Sequence, residues 1–208
     1  MTKNKFLEPY KKFYSDRDNE QLELFRLLSD KYKLKKVLYP GSYVHVTASF
    51  VFPDVTYVDT DPKAKKFFAS EEVIPFIVNK KEYTKKPKVS YHPISYTEDF
   101  GGKEKAYDLL ISLYAGFISM PCKKYLKKNG ILLVNNSHGD AGLANLDSEF
   151  KFIGVINRRG QKFIYSDKKL DSYFITKKPQ EITKEFLLKQ NRGLGYTKSA
   201  NLYLFRKI

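Results

Sequence analysis

Residues 35–61 read KKVLYPGSYVHVTASFVFPDVTYVDTD, and the reading of this stretch decides the fold. The apolar run Val37-Leu38-Tyr39 stops at Pro40-Gly41. A partly apolar segment, residues 42–52, follows and breaks at Pro53-Asp54. A second β-rich run, Val55-Thr56-Tyr57-Val58, ends on Asp59-Thr60-Asp61. The pattern predicts strand, tight turn, short helix, strand, which is one βαβ unit. A glycine after the first strand lets the backbone turn sharply and approach a ligand closely, and an acid closing the second strand can accept hydrogen bonds from ribose hydroxyls. Gly41 and Asp59 lie 59 − 41 = 18 positions apart, near the ~20 of a dinucleotide-type fingerprint. The organisation is that of a nucleotide-type crevice.

Working outward, the alternation continues. Residues 16–32 space Leu22, Phe25, Leu28 and Tyr32 as one helix face, with Ser15 or Asp16 as N-cap. The N-terminal helical segment, residues 1–33, is expected to cover or flank the crevice. Its aromatics Phe6, Tyr10, Phe13 and Tyr14 either contact a substrate or anchor the terminus. Pro62 opens a helix, Ser70-Glu71-Glu72 starts another, and residues 89–92 make a third strand. The nearly unbroken apolar run of residues 107–114 suits a strand covered on both faces of a parallel sheet. Residues 117–128 are expected to be a helix stopped by Asn129-Gly130, followed by a fifth strand over 131–134. A short helix (141–146), a hairpin (150–165), a helix near 183–190 and a last strand (201–205) complete a single domain, 1–208. The expected fold class is α/β: a doubly wound, mainly parallel Rossmann-like sheet of about seven strands with a C-terminal antiparallel strand.

Composition narrows the function. At 208 residues, 42% apolar and 29% charged, the chain can bury a proper core. One cysteine, Cys122, excludes an internal disulfide and gives no paired-cysteine metal signal. The first residues carry no signal-peptide pattern, and no apolar run approaches the ~18 residues of a membrane span, so a cytoplasmic protein without a membrane partner is expected. The net charge of +15 points either to a polyanionic partner, RNA or DNA, or to a lysine-rich composition without such a role. Arg158 and Arg159, with Lys151, Lys162 and Tyr165, form the candidate nucleic-acid patch.

Taken together, LYPGSYVHVTASFVFPDVTYVDTD, DLLISLYAG and KKYLKKNGILLV resemble the class I S-adenosylmethionine-dependent methyltransferases. Within them, the chain is most similar to a bacterial group that brings no known reaction with it. The resemblance implies that Gly41 and Ser42 hold the methionine end of the cofactor and that Asp59 binds its ribose. It implies also that Tyr91 lies along the adenine, and that residues 108–116, with Tyr114, border cofactor and substrate. The turn carries one glycine where the family pattern is GxGxG, and Tyr43 stands where a small residue is usual. No Asn-Pro-Pro-Tyr follows the fourth strand.

Each candidate has a plainer role beside it. Asp59 is either the ribose ligand or a helix-capping acid, and Asp61, before Pro62, is expected to cap. The polar run Asn135-Asn136-Ser137-His138-Gly139-Asp140 lies where the fifth strand opens, at the edge where ligands bind in open α/β sheets. If the chain is catalytic, His138 is the expected acid or base, with Asp140 fixing its tautomer or taking the proton itself. Ser137, His138 and Asp140 are too close in sequence to form a nucleophilic triad, and the spacing of His45, His92, His138 and Cys122 supports no metal site. Two functions remain: a methyltransferase using S-adenosylmethionine on an unidentified acceptor substrate, or a Rossmann-like module that binds nucleic acid without catalysis.

Overall fold

Val37–Tyr39 and Val55–Val58 become the strands expected of them. In the computed structural model, which describes residues 5–17, 21–178 and 181–208, they form β1 (Lys36–Pro40) and β2 (Asp54–Val58). These pair in parallel with Leu38 opposite Thr56, and β2 pairs in parallel with β3 (Lys88–His92), Thr56 opposite Ser90. The three belong to the first of two compact units, Met1–Phe100 and Gly101–Ile208.

Helices fill the connections of the first unit. Between β1 and β2 only Ala48–Val51 (α3) is helical, shorter than expected over 42–52, because the chain spends residues 41–47 in consecutive turns. After β2 come α4 (Pro62–Phe68) and α5 (Val73–Lys80). The α4 start follows the sequence signal: proline fills a first-turn position, and the Asp61 carboxylate accepts from Lys63 N at 2.7 Å. Ahead of β1 lie α1 (Glu8–Phe13) and α2 (Leu22–Lys31), the latter burying Leu24, Phe25 and Leu28. The helix expected over 16–32 is described only from Leu22, and residues 18–20 lie outside the described residues.

In the second unit β4 (Tyr107–Ser112) pairs in parallel with β5 (Leu126–Val134), Leu110 opposite Leu132. The strand order continues through β8 (Leu202–Lys207), β6 (Phe150–Arg159) and β7 (Lys162–Ser166). β8 is antiparallel to both β5 and β6, so the last strand is inserted between two strands of the same direction. β7 is an eighth strand, closing the hairpin expected over 150–165. Three helices complete the unit: α6 (Ser119–Cys122), α7 (Asp140–Leu146) and α8 (Lys184–Gln190), the last capped by Thr183 Oγ1 accepting from Phe186 N at 3.1 Å.

The helix expected over 117–128 is not formed. α6 ends at Cys122, and β5 begins at Leu126. Asn129 does take the left-handed conformation that suggested a helix end, at φ 64°, but inside β5. There the pairing jumps from Tyr107–Leu126 to Leu109–Ile131, so the extra residues bulge out of the ladder. Gly130 is required at this point, since a Cβ there would lie 2.8 Å from the Leu126 side chain. Cys122 is buried. No helix among the described residues is long and apolar enough to cross a membrane.

Candidate functional site

In the first unit the chemistry gathers at the carboxyl ends of β1, β2 and β3, where a parallel sheet presents unpaired backbone. Gly41 leaves β1 at φ 62° and donates its N–H to Val58 O at 2.8 Å. Ser42 is buried, and Tyr43 is also left-handed, at φ 51°. That conformation disfavours a bulky side chain. The Asp59 carboxylate holds it in place: Oδ2 accepts from Tyr43 N at 2.6 Å and Oδ1 from Asp61 N at 2.8 Å. Asp59 therefore bridges the turn after β1 and the start of α4. At the end of β3, Tyr91 donates to Asp59 O at 2.9 Å and stacks on Phe68 with ring centroids 4.6 Å apart. Burial, and then the charges of Asp59 and Asp61, push the Tyr91 phenol up to about 12, so it stays a neutral donor.

The N-terminal segment lies directly on this turn. Tyr14 donates to Ser42 O at 3.4 Å and stacks on His45 at 4.2 Å, while Phe13 meets the Tyr43 ring edge-on at 5.3 Å. Tyr10 shares a 2.8 Å hydrogen bond with Thr47 Oγ1. The N-terminal segment thus anchors on the turn that follows β1. His45 is buried against Tyr39 OH, 2.8 Å from Nδ1, which makes it part of that anchor. Burial holds His92, the last residue of β3, below the usual imidazole value.

In the second unit the corresponding edge is built by the residues after β4 and β5. Asp140 is 2% exposed and accepts from Ser112 Oγ, Ser119 Oγ and Ser119 N, the last at 3.0 Å. Burial raises its pKa against the pull of those donors. Its carboxylate ties the end of β4 to the starts of α6 and α7 and does not orient His138. The partner of His138 Nδ1 is Ser137 Oγ at 3.0 Å, and Ser137 Oγ in turn donates to Asn135 Oδ1 at 2.9 Å. Asn135 Oδ1 also accepts from Tyr114 N at 3.4 Å. Tyr114, at φ 60°, is 64% exposed.

A strap from the β7–β8 connection crosses this loop. Gly193 N donates to Ser137 O at 3.1 Å, and Asn136 Nδ2 donates to Leu194 O at 3.3 Å. A Cβ on Gly193 would stand 1.8 Å from Asn136 O. On the hairpin, Arg158 is committed to its own turn, donating to Gly160 O at 2.8 Å and lying 5.8 Å over Phe163. Among the described residues no cluster of His, Cys, Asp or Glu could hold a metal ion.

No protein-family profile matches the chain, and no curated protein does. Among solved structures, it is similar to a Corynebacterium glutamicum protein solved as a structural-genomics target. That likeness has a TM-score of 0.50 at 7% identity, covering 74% of this chain and 86% of that one. It is similar also to a methyltransferase from Geobacter sulfurreducens, with a TM-score of 0.49 at 13% identity, covering 79% and 89%. The fold is Rossmann-like, an α/β sheet whose first strands are parallel and whose last are antiparallel. Sequence reasoning singled out the turn after β1, the acid after β2 and the polar loop after β5, and the structure gives each the hydrogen bonds described above. That reasoning missed Ser112 and Ser119 as the partners of Asp140, and the strap 192–194 over the loop. The serines gave no signal, being ordinary residues beside apolar runs. The strap's signal was Gly193-Leu194-Gly195, a glycine pair whose second member sits beside Tyr196.

Proposed function

We propose that the chain is a methyltransferase that uses S-adenosylmethionine on an acceptor substrate. The observation that carries this reading is the Asp59 carboxylate, standing at the end of β2 and bonded to the backbone of the Gly41-Ser42-Tyr43 turn. A carboxylate has about four acceptor positions, and two of those on Asp59 are taken by N–H groups, so two remain for vicinal ribose hydroxyls. The residues present fit the nucleoside part of such a cofactor: Asp59 for the ribose, Tyr91 beside the base, Gly41 and Ser42 toward the amino-acid end. When bound, S-adenosylmethionine supplies a sulfonium methyl group, which passes to a lone pair of the acceptor and leaves a neutral thioether. The acceptor's proton needs a base, and in the C-terminal unit we assign that role to His138, poised by Ser137 and Asn135. Asp140 is buried with its carboxylate engaged by Ser112 and Ser119, and serves the loop's geometry.

Calorimetry with S-adenosylmethionine and S-adenosylhomocysteine tests the reading. Binding is expected, and Asp59→Asn, which keeps the side chain's shape, should weaken it about 10- to 100-fold, the range for a hydrogen bond to a charged group. No heat at millimolar ligand, or the same affinity in Asp59→Asn, would refute it.

A further inference from the structure

The net charge is not spread evenly along the chain, because the acids are not. Residues 1–100 hold 18 basic and 14 acidic side chains, a net 18 − 14 = +4, whereas residues 101–208 hold 20 and 9, a net 20 − 9 = +11. Basic side chains load both halves alike, and the larger net charge of the second half comes from its fewer acids. In the second half, residues 151–208 alone carry 14 basic against 4 acidic side chains, and the strap over the Asn135–Gly139 loop belongs to them. The hydrogen bonds of Gly193 and Leu194 to this loop bring the exposed Arg192 to its edge, with the exposed Lys189 three residues earlier at the end of α8.

Three features of that edge point to a ligand with flat, polar rings. Tyr114 displays its ring to solvent from a left-handed backbone, an uncommon state for a bulky residue that must be held by its surroundings. Phe117 lies against Gly139, 3.7 Å from where a Cβ would be, adding a second aromatic to the same loop. Asn135 is 5% exposed, and its Nδ2 has no hydrogen-bond partner among the described residues. A buried donor without an acceptor is costly, so the loop is arranged to give up that bond to something else.

We propose that the C-terminal unit binds single-stranded nucleic acid along this edge. Tyr114 stacks on a base, the Asn135 amide donates to an oxygen of the bound strand once the loop engages it, and Arg192, Lys189 and the lysines of the β7–β8 connection follow the phosphates. Aromatic platforms beside a basic track are the physical means of holding a single strand without reading its sequence. The proposal concerns binding by the C-terminal unit and stands apart from the preceding reading.

The test is fluorescence anisotropy with a labelled RNA 12-mer, the DNA of the same sequence, its duplex, and heparin as a polyanion without bases. For about four phosphates the single-strand slope lowers affinity about 50-fold between 50 and 200 mM salt. Tyr114→Ala is expected to weaken the single strands about tenfold or more while leaving heparin binding and the melting temperature unchanged. Arg192→Glu with Lys189→Glu should weaken every sequence alike and flatten the salt dependence. Tighter binding of RNA than DNA would add a contact to the 2′-hydroxyl, and equal binding would leave bases and phosphates as the whole of recognition. Either ratio supports the proposal. No binding at 50 mM salt, wild-type affinity in Tyr114→Ala, or duplex binding as tight as single-strand binding would overturn it. Calorimetry with S-adenosylhomocysteine on the same variants reports the cofactor reading separately, so the two can fail independently.

Discussion

Replacing Asp140 by alanine should cost the fold about 3 kcal/mol. The carboxylate is buried, and its three donors, Ser112 Oγ, Ser119 Oγ and Ser119 N, come from residues that are themselves almost wholly buried. An orphaned buried donor costs about 1–3 kcal/mol. The Ser119 N–H cannot turn away and takes the full cost, while the two hydroxyls can rotate toward other acceptors and are counted at the low end. Their sum is about 3–5 kcal/mol, and release of a buried charge returns part of it. With a urea slope of about 2–3 kcal/mol per M, the midpoint should fall by roughly 1 M. The pH adds a sign. Burial raises the folded pKa of Asp140 above its ordinary 3.8, so its contribution is fullest below that value and is lost as pH rises through the folded pKa. The stability gap between wild type and Asp140→Asn should therefore narrow from acid toward neutral pH. A midpoint within about 0.2 M of wild type for Asp140→Ala, with turnover abolished, would refute this account and restore Asp140 as a proton acceptor.

His92 shifts the other way. Burial lowers its folded pKa, so its share of stability is present above 6.5 and is lost as pH falls through the folded value; urea midpoints from pH 7.5 to 5 should decline in wild type and flatten in His92→Asn. Gly193→Ala forces a Cβ into Asn136 O at 1.8 Å, so the strap must lift from the loop. Faster exchange of the amide at position 193 and faster proteolysis within 182–198 are the expected readouts, and unchanged protection would refute the contact.

The parts of the fold that the sequence made legible are those fixed by local rules. Pro40-Gly41 marks a turn, Asp61-Pro62 marks a capped helix start, and runs such as Val55–Val58 have no helical alternative at that length. The region 117–128 was misread because its apolar spacing suits a helix and Asn129-Gly130 suits a helix end. The deciding term is non-local: pairing of Leu126 with Tyr107 draws the chain into β5 early, and the left-handed asparagine becomes a bulge. The candidate site divides in the same way. Gly41 and Asp59 were visible because their spacing follows from the βαβ unit, but the direct bond from Tyr43 N to Asp59 depends on the unusual φ of Tyr43. The Asn135-Ser137-His138 chain was approached through its polarity, yet its arrangement depends on a strap more than fifty positions downstream.

The lone cysteine gives this chain a clock. Burial, with the nearby Asp140 charge as a smaller influence, pushes the Cys122 thiol up to about 12. At neutral pH roughly one molecule in 10⁵ then carries the reactive thiolate while α6 stays closed. A disulfide reagent in solution must wait for α6 to open before it finds a normal thiol. The rate of labelling, at reagent concentrations where it no longer depends on reagent, becomes the opening rate of the segment that the Ser119–Asp140 contacts hold down. Because the sequence offers one thiol, that rate is read from whole-protein mass without ambiguity of position.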